Sequence, residues 1–135
     1  MLQGFKNRTY NLGDRVRVYR NLNKGGWSIL AMSGENKGRV VAHVDYVTLE
    51  AVDFVISKAG LARAQVSKVR NVHSYAQGIL NSLEPLSSDF LCNEITYNPF
   101  KKDYFYPVSN VDQKLTGADC IFFAENKAFI GMYSI

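Results

Sequence analysis

The sequence predicts an α+β protein: an antiparallel β-sheet meander with one principal helix packed on it, followed by further C-terminal strands. Three observations lead there. From Arg15 onward apolar and polar residues alternate with period two, and turn-forming clusters separate the runs. A single segment, KAGLARAQVSK after Ser57, has the composition of a helix. The last third carries short runs rich in aromatic and apolar residues. At 135 residues, 47% of them hydrophobic and 21% charged, the chain suits one domain spanning 1–135. That size buries a core without disulfides, metals or a cofactor.

Each element has a local reason. Residues 1–14, ending in the turn-like Asn11-Leu12-Gly13-Asp14, read as a loosely docked N-terminal arm. Val16 and Val18 alternate with Arg15, Arg17 and Tyr19, which marks a half-buried strand. Asn21 to Gly26 turn the chain into a second strand, Trp27 to Met32, and Ser33 to Lys37 turn it into a third, Gly38 to His43. Tyr46 to Leu49 and Asp53 to Ile56 continue the extended theme. Ser57 caps the helix, because its hydroxyl accepts from the free amides of the first turn. Asn71 to Leu80 returns to extended structure, with small residues Ser74, Ala76 and Gly78 on one face, a surface suited to close packing by the helix. Residues 81–94 read as loop. Strands are then expected around Ile95 to Tyr97, Tyr104 to Tyr106, Cys120 to Ala124 and Ala128 to Met132, the last two joined at Glu125-Asn126-Lys127.

Charge is unevenly spread. Residues 1–39 hold eight Lys or Arg against two acids, a surplus of six, whereas residues 71–135 hold four lysines against seven acids. The basic first third suits an anionic partner, or simply a solvated face. Cys92 and Cys120 show no C-x-x-C spacing, and no leader precedes the chain, which points to a reducing cytoplasm. Apolar runs fall far short of the roughly 20 residues that span a bilayer.

Catalytic signatures are sparse. Lys24-Gly25-Gly26-Trp27-Ser28 lacks the spacing and the helix of a phosphate-cradling loop. His43-Val44-Asp45 and His73-Ser74-Tyr75 approach the paired elements of two-histidine phosphodiesterases, but the first has no hydroxyl residue at the required place. A cyclic-nucleotide phosphodiesterase using His43 and His73 stays open as an alternative, as does a basic nucleic-acid-binding module. A virion structural component is a further alternative. Binding a nucleotide without transforming it needs less: aromatic faces, amides, and guanidinium or ammonium groups. Lys68-Val69-Arg70-Asn71-Val72-His73 groups a guanidinium, an amide and an imidazole, and TYNPFKKDYFY at 96–106 interleaves five rings with two lysines. Pro99 biases Asn98 toward extended geometry, and Phe100 follows where the chain can leave the sheet.

Five segments carry a family resemblance: Val-Tyr-Arg-Asn-Leu-Asn-Lys-x-x-Trp-Ser from Val18, Gly-Arg-Val-Val-Ala-His-Val-Asp from Gly38, Phe-Val-Ile-Ser-x-Ala-Gly-x-x-Arg from Phe54, Arg-Asn-Val-His-Ser-Tyr from Arg70, and Tyr-Asn-Pro-Phe from Tyr97. Over about residues 16–110 the chain resembles phage-encoded anti-Thoeris proteins of the first Tad type. The resemblance implies a non-catalytic sponge that binds cyclic ADP-ribose isomers and releases them unchanged. For some members it also implies binding of cyclic trinucleotides, in a homodimer or a hexamer built as a trimer of dimers. Carried onto matching positions, it nominates Arg70, Phe100 and Asn110 for ligand binding, then Asn71, Tyr97 and Asn98. Lys127 is added as a cation able to reach phosphate and rests on no motif.

Overall fold

The structure, a computed structural model of the chain, describes residues 1–86 and 93–131. Strands β1 (Leu2–Gln3) and β2 (Thr9–Tyr10) pair as a small hairpin around a single 3-10 turn at Phe5–Asn7. The main sheet has nine strands: β3 (Arg15–Arg20), β4 (Trp27–Ala31), β5 (Val40–Val44), β6 (Tyr46–Ile56), β7 (Ser74–Ser82), β8 (Asn93–Thr96), β9 (Tyr106–Pro107), β10 (Gly117–Ala124) and β11 (Lys127–Ile130). The helix α1 spans Lys58–Ser67. Every pairing is antiparallel and the order is β5-β4-β3-β7-β6-β10-β11-β8-β9.

The α+β class and the single helix match the expectation, and β3-β4-β5 is the meander that the alternation predicts. The meander stops there. β7 lies between β3 and β6, so β6 stands four strand steps from β5. In a flat sheet those steps would span about 19 Å. Val44 and Tyr46 are separated by Asp45 alone, a chain distance of at most about 7 Å. The sheet must therefore curl into a half-barrel, with Asp45 at the corner, where its carbonyl accepts from the Glu125 amide. The inner face holds Val16, Val18, Ile29, Val41, Val47, Leu49, Leu80, Ile121 and Ile130, all but sealed from solvent. Arg15 and Ile79 point outward from β3 and β7, as strict alternation requires.

Several local expectations are corrected. The two runs at 46–49 and 53–56 form one long strand, because a bulge between Glu50 and Asp53 absorbs the polar break. Ala51 sits in that bulge at φ 51°, exposed, in the left-handed region. Ala51→Gly should accordingly raise unfolding free energy by about 0.5 kcal/mol, the relief of left-handed strain less glycine's added chain entropy. Urea denaturation would show it, and a lower midpoint would contradict it. Gly78 does not receive the helix. A Cβ there would lie 2.6 Å from the Glu50 carbonyl, so the neighbour it accommodates is the β6 backbone. The helix meets the body elsewhere, through Gly60, which abuts the side chain of His73.

The N-terminal segment is docked rather than loose. Tyr10 is buried in the core, Gly4 abuts the Val41 carbonyl, and Arg8 Nη1 donates to the Val40 carbonyl at 2.8 Å. The strand expected at Tyr104 to Tyr106 is reduced to β9 and a single bridge, Phe105 to Leu115. β10 starts earlier than expected, at Gly117, and β8 starts at Asn93, inside the stretch read as loop. Cys92 and Met132 lie outside the described residues. Cys120 is a free, half-buried cysteine. No helix of the described residues is long and apolar enough to cross a membrane.

Candidate functional site

The mouth of the half-barrel opens into a cleft of about 440 Å³, a size usual for small-molecule sites. Segments far apart in sequence build it. The end of β3 and the start of β4 supply Tyr19, Arg20 and Trp27; the chain from the helix to β7 supplies Val69 to Ala76. β8 and the turn after it supply Glu94 to Phe100, and the β10-β11 hairpin supplies Asn126 and Lys127. Ile121, Phe123 and Trp27 make an apolar floor, the Trp27 and Phe123 rings lying 4.4 Å apart.

Six of the seven nominated residues line this cleft: Arg70, Asn71, Tyr97, Asn98, Phe100 and Lys127. Their surroundings give them different work. Arg70 is exposed and stands in the irregular segment beyond the helix C-terminus, which closes at Lys68 in the left-handed conformation (φ 58°). The sharp reversal there, which no glycine marks, aims residues 69–73 at the cleft. Asn98 Oδ1 accepts from the Phe100 amide at 3.0 Å, and its carbonyl accepts from the amides of Lys101 and Lys102. Asn98 thus locks the turn that carries Phe100. Gln65 Nε2 donates to the Pro99 carbonyl at 3.2 Å and ties the helix to the same turn. The Phe100 ring, 54% exposed, has no aromatic partner among the described residues. Lys127 faces Glu94 at 3.8 Å, which tempers its charge. Asn110 is not brought to the cleft. It sits exposed in the loop after β9, where its Oδ1 accepts from the Asp112 amide at 3.2 Å and serves the local turn.

Tyr97 and Asn71 belong to a relay running into the wall. Asn71 Nδ2 donates to the Gly60 carbonyl at 3.1 Å, which leaves Oδ1 to accept from His73 Nδ1 at 2.7 Å. The proton is therefore on Nδ1, and Nε2 accepts from the Tyr97 hydroxyl at 2.7 Å. The Tyr97 ring stacks on Phe105 at 5.2 Å, and Phe105 on Phe54 at 4.7 Å, so the wall is stiff. Burial, with the negative charge of Asp103 adding, pushes the Tyr97 phenol up to about 12. The unfolded phenol ionises near 10, so its contribution to stability is complete below pH 10 and is lost as pH rises through about 12. Tyr97→Phe leaves the buried His73 Nε2 without its donor and should cost about 1–2 kcal/mol at neutral pH. The same substitution should flatten the alkaline loss of stability, read by chemical denaturation at a series of pH values. An unchanged midpoint at pH 7 would show that the relay does not contribute.

His43 does not line the cleft; its Nδ1 meets Ser28 Oγ at 2.9 Å and Asn21 Nδ2 at 3.3 Å on β5. The two histidines thus stand in different settings, His73 inside the relay and His43 outside the cleft. The basic first third is also dispersed. Arg17 stacks 4.5 Å over Tyr75 and donates to Gln77, Arg8 serves the N-terminal hairpin, and Arg20 alone of the three enters the cleft. Arg20 and Trp27 are cleft residues that no local signal singled out. Arg20 is one more base in a basic strand and Trp27 one more strand aromatic, and their place depends on the curl of the sheet.

Comparison with known proteins gives a consistent result. No solved structure matches the chain. The Gene 82 protein of Mycobacterium phage L5 is 32% identical over 118 residues, covering 83% of this chain and 91% of that protein. A family model described as Mycobacterium phage L5 gene 82 protein matches residues 9–131, nearly the whole described body including every segment that lines the cleft. The chain therefore belongs to the phage L5 gene 82 protein family.

Proposed function

We propose that this phage protein is an anti-defence sponge that binds a cyclic nucleotide immune signal, a cyclic ADP-ribose isomer first of all, and holds it without degrading it. The observation that carries the reading is the convergence of Arg70, Asn71, Tyr97, Asn98, Phe100 and Lys127 on one cleft from three separate segments. An exposed ring on a locked turn offers a stacking face, and the Arg70 guanidinium lining the same cleft offers charge for phosphate. A ligand of roughly 35 heavy atoms at about 0.3 kcal/mol each reaches binding in the range of tens of nanomolar. Sequestration works by mass action and needs slow release. Cyclic trinucleotides, a homodimer or trimer of dimers, and action in the cytoplasm of the infected host complete the reading.

The test is direct. The protein is mixed with a cyclic ADP-ribose isomer, heated to denature it, and the supernatant assayed. Intact ligand, recovered in proportion to protein, is the expected outcome. A hydrolysed product would replace the sponge with the phosphodiesterase, and His73→Ala should then abolish turnover. Absence of binding across a thermal-shift panel of cyclic ADP-ribose isomers and cyclic di- and trinucleotides would overturn both readings.

A further inference from the structure

Three cations line the cleft, and among the described residues only Lys127 has an anionic partner there, Glu94. Arg20 is nevertheless fixed. Its Nη2 donates to the Asn126 carbonyl at 2.7 Å, and its guanidinium lies 4.8 Å above the Trp27 ring, which is itself wedged against Phe123. One donor of five is used, and the rest of the fork remains available. Arg70 comes from the segment between the helix and β7 and carries no ion pair among the described residues. Burial and then the charge of Arg70 depress the Arg20 pKa, so the two guanidiniums sense one another. Like charges gathered in one cleft repel, and an anion between them reverses the sign of that interaction.

We propose that Arg20 and Arg70 form a two-guanidinium clamp for a pyrophosphate, so that the ligand class is nucleotides with two directly linked phosphates. The inference rests on the reading of this cleft as a nucleotide site and names the group that orients the ligand in it. A single phosphate is satisfied by one bidentate fork; two linked phosphates give each fork its own. The Trp27 shelf and the Asn126 carbonyl preset Arg20, so little side-chain freedom is lost on binding.

Titration calorimetry with four probes tests it: inorganic phosphate, inorganic pyrophosphate, AMP and ADP-ribose, against wild type, Arg20→Gln, Arg20→Lys, Arg70→Gln and Arg17→Gln. Wild type should prefer pyrophosphate to phosphate, and ADP-ribose to AMP, by about tenfold or more. Arg20→Gln and Arg70→Gln should each erase the preference, Arg20→Lys should retain only part of it, and Arg17→Gln should leave it. Equal binding of one and two phosphates, or a preference that survives in folded Arg20→Gln, would overturn the clamp. If Arg20→Gln does not fold, the exposed Arg70→Gln decides in the same way. Tighter binding of ADP-ribose than of pyrophosphate assigns the site to nucleotides rather than the free anion. A cyclic ADP-ribose isomer bound equally by wild type, Arg20→Gln and Arg70→Gln would sink the clamp and leave the sponge standing. Pyrophosphate binding lost in both variants, with no nucleotide bound by wild type, would support the two-guanidinium contact but overturn its nucleotide ligand class, and the sponge with it.

Discussion

Phe100→Ala should weaken cyclic nucleotide binding by about 10- to 100-fold, the usual worth of one base stacked on an aromatic side chain, while leaving the fold unchanged. Both halves follow from one geometry. The ring is 54% exposed and makes no aromatic contact among the described residues, so its removal opens no cavity. The turn beneath it is held by backbone and by Asn98: Oδ1 to the Phe100 amide, and the Asn98 carbonyl to Lys101 and Lys102. Nothing in that set needs the ring. Stability should stay within about 0.5 kcal/mol, as at surface positions without special contacts. Calorimetry and denaturation on the same sample separate the two. Unchanged affinity would mean that the ligand stacks elsewhere, and a collapsed midpoint would make Phe100 structural. Tyr97, three residues before Phe100 in the same aromatic run, should behave in the opposite way, since its hydroxyl and ring belong to the wall.

Gly78→Ala should cost about 3 kcal/mol of stability, at the upper end of what one added methyl does in a packed interior. Gly78 sits in β7 opposite Val16 of β3, with the β6 bulge on its other side. A Cβ would lie 2.6 Å from the Glu50 carbonyl oxygen and 3.4 Å from that of Ala51. Those are backbone atoms of a strand paired to both β7 and β10, so they cannot retreat without loosening two ladders. The cost should show as a lower urea midpoint with an unchanged slope. A wild-type midpoint would mean that the bulge yields freely. Because β7 leads directly from the cleft, the same variant should also weaken ligand binding as the wall loosens.

The parts of the molecule that were legible in advance are those specified by near neighbours in the chain. Val16 and Val18 alternate with Arg15 and Arg17 whatever the rest of the fold does, and the structure has them so. The Ser57 cap is likewise local, its Oγ accepting from the Gly60 amide at 3.2 Å. Asn98, Pro99 and Phe100 make their turn within five residues. Where longer reach was needed, local reading misdirected. The small residues of β7 suggested a helix above them, but the close neighbour is a bulge in β6, and a bulge depends on how two strands register. The family resemblance nominates Asn110, and in space that residue serves a turn outside the cleft.

Sequence by itself determined the antiparallel strands, the single capped helix and the polar-aromatic segments that furnish the cleft, because these rest on backbone and side-chain preferences acting over a few residues. Tertiary structure alone decided the rest. The insertion of β7 between β3 and β6, and the corner at Asp45, curl the sheet until Arg20 and Trp27 face Arg70, Tyr97 and Phe100. Those residues lie up to eighty positions apart. No local periodicity encodes such a meeting, since it depends on which faces the whole chain can bury together.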